Sequence, residues 1–214
     1  MEFIGVDGSL ENPNGLKNDM LSNTLGSGMD PCIAINEKVI LNPGEEKTVF
    51  ILLGQEDNIE KIDSVIEKYE NEESVLNELK RVKSYWEDTL TQIQIETPDK
   101  SMDIMVNKWL LYQVISCRFW ARTGFYQSGG AYGFRDQLQD SISISYVRPE
   151  LTREHILYSA SRQFLEGDVQ HWWHPVVDSG IRTRFSDDLL WLPYVTIQYI
   201  KNTGDYEILN ESIN

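Results

Sequence analysis

Two rhythms of apolar residues run along this chain, and one gives way to the other near residue 57. Residues 1–30, rich in Gly, Asn, Asp and Ser, follow neither and read as loop and turn. Ile33 and Ile35, then Val39, Ile40 and Leu41, then Thr48 to Leu53 read as strands turned by Asn42-Pro43-Gly44-Glu45. This pattern predicts β structure over residues 32–53. A lone hairpin is marginal in water, so these strands are expected to belong to a larger sheet, and the chain is expected to lack its true beginning.

Helical spacing then takes over. Ile59, Ile62, Val65, Ile66 and Tyr69 share one face, as do Val75, Leu79, Val82 and Trp86 behind Ser74 as N-cap. Residues 98–120 predict one helix of about 20 residues, roughly 30 Å long, opened by Pro98 and Asp99. Met105, Val106, Trp109, Leu110, Tyr112, Val114, Ile115, Phe119 and Trp120 cover nearly all its sides, which predicts burial between layers. At that spacing Trp109, Tyr112 and Trp120 read as core rather than as a stacking platform for a ligand.

Pro149 opens a further helix through Ile156, Leu157, Ala160 and Phe164, with Gly167 as its stop. Residues 168–184 read as a long polar loop holding His171, Trp172, Trp173, His174, Gly180, Arg182 and Arg184. Ser186 is the expected cap of the last long helix, whose first turn carries Asp187 and Asp188, where acids suit the helix dipole. Pro193 predicts a kink or break in it, Gly204 its end, and residues 205–209 one more helix.

Composition sharpens this picture. The 214 residues are 41% hydrophobic and 11% aromatic, enough for a real core in one large or two small domains. A net charge of −15 excludes nucleic acid as a partner and makes no case for an anionic membrane. Residues 1–100 carry −12 of it, with Arg81 beside eight Lys, whereas residues 101–214 have eight Arg and only Lys108 and Lys201. Arg suits fixed planar hydrogen bonding and Lys suits solvated surface, so a solvated module hands over to a site-bearing one at about residues 90–100. Cys32 and Cys117 form no disulfide framework and have no metal-ligand company. With no signal-peptide pattern and no run of about 18 apolar residues, a cytoplasmic location is the expectation.

The candidate chemistry centres on Tyr126 to Asp140. Gly129, Gly130 and Gly133 loosen a loop that enters a helix at Arg135. At about 100° per residue, Arg135, Asp136, Gln139 and Asp140 share roughly 140° of one face, while Leu138 and Ile142 fall outside it. Asp136 and Asp140, four apart, repel unless answered. Arg135 can answer one, and a ligand rich in hydroxyl donors, such as a sugar, could answer both. A buried Arg–Asp cluster that merely fixes how the loop enters a helix bundle is the competing reading.

The segment Tyr-Gln-Ser-Gly-Gly-Ala-Tyr-Gly-Phe-Arg-Asp-Gln-Leu-Gln-Asp closely resembles part of glycoside hydrolase family 94. So do His-Trp-Trp-His-Pro, Gly-Ile-Arg-Thr-Arg and Ser-Asp-Asp-Leu-Leu-Trp-Leu within residues 168–194, and Glu2-Phe-Ile-Gly to Asn12-Pro13. The family holds inverting phosphorylases of disaccharides and oligosaccharides and the related domain of cyclic β-1,2-glucan synthases. The resemblance implies an α+β chain, mainly α: the end of a β-sandwich over residues 1–56, linker helices over 57–123, and the first helices of an incomplete (α/α)6 barrel over 124–214.

It further implies a hexosyltransferase that cleaves β-glucosidic bonds with inorganic phosphate, inverting the anomeric centre. One carboxylic acid protonates the leaving oxygen while phosphate attacks. No Trp-Asn-Asp-like acid motif occurs here, so the general acid and the phosphate-binding residues are expected beyond Asn214, and the fragment alone is expected to be inactive. The donor-sugar subsite carries over to Arg135 and Asp140, with Asp136 and Gln139 as neighbours, and His174, Arg182, Asp187 and Asp188 as loop contributors. No metal or cofactor is implied; the partners are a β-linked gluco-oligosaccharide and phosphate. A homodimer of the full-length parent is allowed, and membrane association follows if that parent is a glucan synthase. A non-catalytic sugar-binding protein remains a third reading. Trp172 and Trp173 could stack on a sugar or plug the barrel rim; His155 reads as a helix-surface residue, and His171 has no claim beyond its loop.

Overall fold

A computed structural model of the chain describes residues 3–24, 26–28, 32–121, 129–175 and 177–213. Tyr126, Gln127 and Ser128 of the candidate stretch lie outside them. The chain divides into two units, residues 1–74 and 75–214.

In the first unit, α1 (Ile59–Lys68) forms where the apolar spacing predicts it. The Asn58 side chain caps it by accepting from the Lys61 N–H at 2.9 Å. α2 (Glu72–Leu90) starts two residues before Ser74. Its cap is Asn71, whose Oδ1 accepts from the Ser74 N–H at 2.9 Å, so Ser74 lies inside the helix rather than before it. The strands expected over residues 32–53 do not form: no ladder pairs these residues, and Ile33, Ile35, Ile51 and Leu53 are exposed. An extended segment gains its hydrogen bonds only from neighbouring strands, and the described residues of this unit supply none.

The second unit continues through a winding from Lys100 to Trp120. The Asp99 side chain caps α3 (Lys100–Ile104) by accepting from the Ser101 N–H at 2.9 Å. Wider π turns at Met105–Trp109 and Val114–Trp120 flank α4 (Leu110–Gln113). The long helix is therefore present, but the burial expected of it is not. Only Ile115 and Phe119 are buried, whereas Trp109 and Trp120 are 48% and 55% exposed. Trp109, Tyr112 and Trp120 are not core; with Tyr85 and Trp86 they form a run of ring contacts 4.9–6.1 Å apart.

The core lies in the last third. Strand β1 (Tyr132–Gly133) leads directly into α5 (Phe134–Ile144), followed by α6 (Pro149–Ala160). α6 stops at Ser161, short of Gly167, which instead turns the chain back so that the Phe164 N–H donates to the Asp168 carbonyl at 2.8 Å. The expected loop over 168–184 is a hairpin, β2 (Gln170–His174) and β3 (Ser179–Arg182). With β1 it makes a three-stranded antiparallel sheet in the order β1-β2-β3, Tyr132 pairing Trp173 and His174 pairing Ser179.

α7 (Asp188–Thr203) runs unbroken through Pro193, and Ser186 does not cap it. Proline in the second turn removes only one helical hydrogen bond, which leaves the helix intact. Gly204, at φ 74°, closes it in the left-handed conformation that glycine adopts without penalty, and a short 3₁₀ turn (Glu207–Asn210) follows. Phe134, Leu138, Ile156, Val169, Trp173, Val195, Tyr199 and Ile208 pack into one buried cluster joining α5, α6, α7 and the sheet.

Candidate functional site

The start of α5 and the start of α7 meet through charge. Gly133 precedes α5, and a Cβ there would stand 2.8 Å from Asp136 Oδ2, so the absent side chain lets that carboxylate fold back over the helix start. Arg135 Nη1 donates to Asp187 Oδ2 at 2.8 Å, and Arg135 Nε lies 3.6 Å from Asp136 Oδ1. The Arg135 hydrogen bond holds the Asp187 carboxyl below the usual carboxylate range, and Asp187, with Asp136, raises the guanidinium in return. These three side chains are about half exposed, so the carboxylates keep acceptor sites open to solvent.

Asp140 turns elsewhere. Its Oδ2 accepts from Arg118 Nε at 2.9 Å, one helix earlier in the chain. Gln139 is exposed between them. Asp188 points inward and is 2% exposed, its Oδ2 2.7 Å from His171 Nδ1. Arg182 is engaged at the far side of the hairpin: Nε and Nη2 donate to Asp168 at 2.6 and 2.5 Å, and Nη2 also reaches Glu166 at 3.0 Å. Its guanidinium lies 3.9 Å over the Phe164 ring. The His174 ring stands edge-on to Trp172, with centroids 5.5 Å apart. The structure thus joins Arg135, Asp136 and Asp187 directly and sets Asp188 beside them. His174 and Arg182 share no hydrogen bond or ion pair with that group among the described residues.

The two tryptophans divide their roles. Trp173 is fully buried, stacked on Tyr132 at 5.5 Å, with Nε1 donating to the Tyr158 hydroxyl at 2.8 Å. Trp172 is only partly buried. His155 is not on the surface; it is buried against Phe119 and Tyr132, at 5.6 and 6.1 Å.

Residues 85–214 match the model of the glycosyl hydrolase 94 superfamily catalytic domain, and residues 1–72 that of the glycosyl hydrolase 94 supersandwich domain. The chain belongs to the glycosyl hydrolase 94 superfamily. It is 39% identical over 213 residues to the cyclic beta-(1,2)-glucan synthase NdvB of Rhizobium meliloti (strain 1021), which covers 99% of this chain and 8% of that protein. It is 28% identical over 240 residues to the N,N'-diacetylchitobiose phosphorylase of Vibrio furnissii, 99% of this chain and 30% of that one. The solabiose phosphorylase of Paenibacillus borealis is 29% identical over 211 residues, 99% of this chain and 26% of that one. The chain thus spans less than a third of the length of each of these relatives.

All eight predicted binding residues fall inside the stretch that matches the family 94 catalytic domain. Two partners were missed by the sequence reading. Arg118, the cation that answers Asp140, sits 22 positions away with nothing to mark it. His171 lies in a motif that was noticed, but its pairing with Asp188 depends on a strand irregularity that residue types do not reveal. Among the described residues no helix is long and apolar enough to cross a membrane.

Proposed function

We propose that this chain contributes part of the donor-sugar subsite of an inverting glycoside phosphorylase-type enzyme acting on β-linked glucans. The observation that carries the reading is the Arg135–Asp187 bridge, which brings α5 and α7 together with half-exposed carboxylates around one fixed guanidinium. Ionised carboxylates accept several hydrogen bonds and a guanidinium donates several, so the group suits the mixed donors and acceptors of a sugar ring. Membership of the glycosyl hydrolase 94 superfamily and the likeness to two phosphorylases support the same reading.

In this mechanism the chain's residues hold the donor sugar while a carboxylic acid protonates the glycosidic oxygen and inorganic phosphate attacks the anomeric carbon from the opposite face. Phosphate is the co-substrate, and the product is an α-glucose 1-phosphate. Asp136, Gln139, Asp140 and Asp187 bind hydroxyls, and their contacts strengthen as the sugar distorts toward the transition state. No Trp-Asn-Asp-like acid motif occurs in these 214 residues, so this reading gives them the holding of the sugar and not the protonation step.

A second reading rests on a specific observation: the identity to the glucan synthase, 39%, exceeds the 28% and 29% to the two phosphorylases. In that reading the chain belongs to the corresponding domain of a cyclic β-1,2-glucan synthase. The deciding experiment incubates the full-length protein that carries this chain with β-1,2- and β-1,4-gluco-oligosaccharides, with and without phosphate. Phosphate-dependent release of α-glucose 1-phosphate supports the phosphorylase, and phosphate-independent formation of cyclic glucan supports the synthase. Neither product from any β-glucan would refute both.

A further inference from the structure

His171 is the extra residue of a β-bulge. Gln170 pairs with Arg182 and Trp172 with Ile181, so one residue on β3 advances while two advance on β2, and His171 is left over. A bulge re-aims the side chain of its unpaired residue. Here the imidazole reaches the first residue of α7, where Nδ1 lies 2.7 Å from Asp188 Oδ2. Phe185 covers one side of the ring, with centroids 4.7 Å apart.

The pair is unequal. The Asp188 side chain is 2% exposed and that of His171 is 32% exposed. The second oxygen of Asp188, Oδ1, is buried with no hydrogen-bond partner among the described residues, so His171 is the one side chain that answers this carboxylate. A carboxylate only accepts, so Nδ1 carries the proton. The orientation of the ring is thereby fixed, as a buried acid fixes a ligating histidine elsewhere. Nε2 is left to meet whatever approaches.

Charge selects the approaching group. The positive end of α7 is already met by Asp187 and Asp188, with Asp136 close to Arg135 across the helix starts. An incoming anion would face these carboxylates, whereas a neutral hydroxyl can donate to the Nε2 lone pair of a ring whose Nδ1–H is turned to Asp188. We infer that the bulged His171, held by buried Asp188, is a sugar-hydroxyl contact of this site, with Asp188 as its positioning residue. The inference rests on the functional reading above and adds a residue to it.

The test uses the full-length protein that carries this chain. Binding of a short β-1,2-linked gluco-oligosaccharide is measured by calorimetry without phosphate, and phosphorolysis is measured in parallel for wild type, His171→Ala, His171→Gln, Asp188→Asn and the double variant His171→Ala/Asp188→Asn. His171→Ala is expected to weaken sugar affinity by about tenfold, the size of one lost hydrogen bond to a well-placed group. The phosphate KM stays unchanged, and His171→Gln recovers part of the loss. The double variant should bind sugar no worse than His171→Ala, because Asp188 acts through the imidazole. Unchanged sugar affinity with a lowered melting temperature overturns the inference and makes the pair structural, as does a shift in phosphate KM in place of sugar affinity. The two readings separate cleanly. Sugar binding that depends on His171 without any glucose 1-phosphate defeats the phosphorylase alone, and turnover indifferent to His171 defeats the dyad alone.

Discussion

Arg135 Nη1 donates to Asp187 Oδ2 at 2.8 Å across 52 positions of sequence. The two ends of this bond lie in motifs read independently as family-like, Gly-Phe-Arg-Asp and Ser-Asp-Asp-Leu. Both side chains are nearly half exposed, and an exposed ion pair contributes little to folding because water and salt screen it. A fixed guanidinium at a half-open site is of more use to a ligand than to the fold.

Replacing Arg135 should therefore separate function from stability. Arg135→Ala in the full-length protein is expected to leave thermal melting nearly unchanged and to lower kcat/KM by about a hundredfold, the scale of a lost charged contact in the transition state. Arg135→Lys keeps the charge but loses the fork that spans Asp136 and Asp187, and should recover only part of the activity. Steady-state kinetics beside circular-dichroism melts would check both.

Trp173 calls for the opposite result. It is fully buried between Tyr132 and Tyr158, and its indole N–H is satisfied by the Tyr158 hydroxyl. Trp173→Ala leaves a cavity and should cost about 3–5 kcal/mol, read as a lowered urea midpoint. Should Trp173→Ala instead unfold normally and lose only sugar affinity, the residue belongs to the ligand and not to the core.

Acid should loosen the end of α7. Asp205 Oδ2 accepts from the Tyr199 hydroxyl at 2.9 Å and from Arg153 Nε at 3.0 Å. Those bonds, Tyr199 first and then Arg153, hold its pKa below the usual carboxylate value. A depressed folded-state pKa contributes stability above the unfolded value and loses it as pH falls through the folded one. Melting temperature should thus decline as pH drops through and below the ordinary carboxylate range, and Asp205→Asn should flatten that decline. A slope identical in wild type and variant would remove Asp205 from the account.

The sequence made the helices legible and the sheets illegible, for one physical reason. A helix satisfies its backbone locally, so the spacing of Ile59, Ile62, Val65 and Ile66 is enough to locate α1, and the shared polar face of Arg135, Asp136, Gln139 and Asp140 marks α5. A strand needs partners. Residues 32–53 read as strands yet find no ladder among the described residues, while Trp172 and Trp173, in the non-alternating run His171-Trp172-Trp173-His174, pair on both sides. Burial failed in the same way at Trp109 and Trp120, where apolar type is visible but the neighbour that would cover it is not. At the site, Arg135 and Asp187 were named, but Asp140 was expected beside them and is held instead by Arg118.

Asp140 is therefore where the central claim is most exposed. It is the residue most directly assigned to the donor sugar, and it is also tied to Arg118 at 2.9 Å in a way that could be purely structural. The decisive measurement is Asp140→Asn in the full-length protein, with phosphorolysis of β-gluco-oligosaccharides and thermal melting followed on the same preparation. Asparagine preserves size and loses the charge, so a sugar-binding role predicts a fall in kcat/KM of about a hundredfold or more with little change in melting temperature. Intact turnover together with a large drop in melting temperature would contradict the account and leave Asp140 as a strut between α5 and the helix that ends at Trp120.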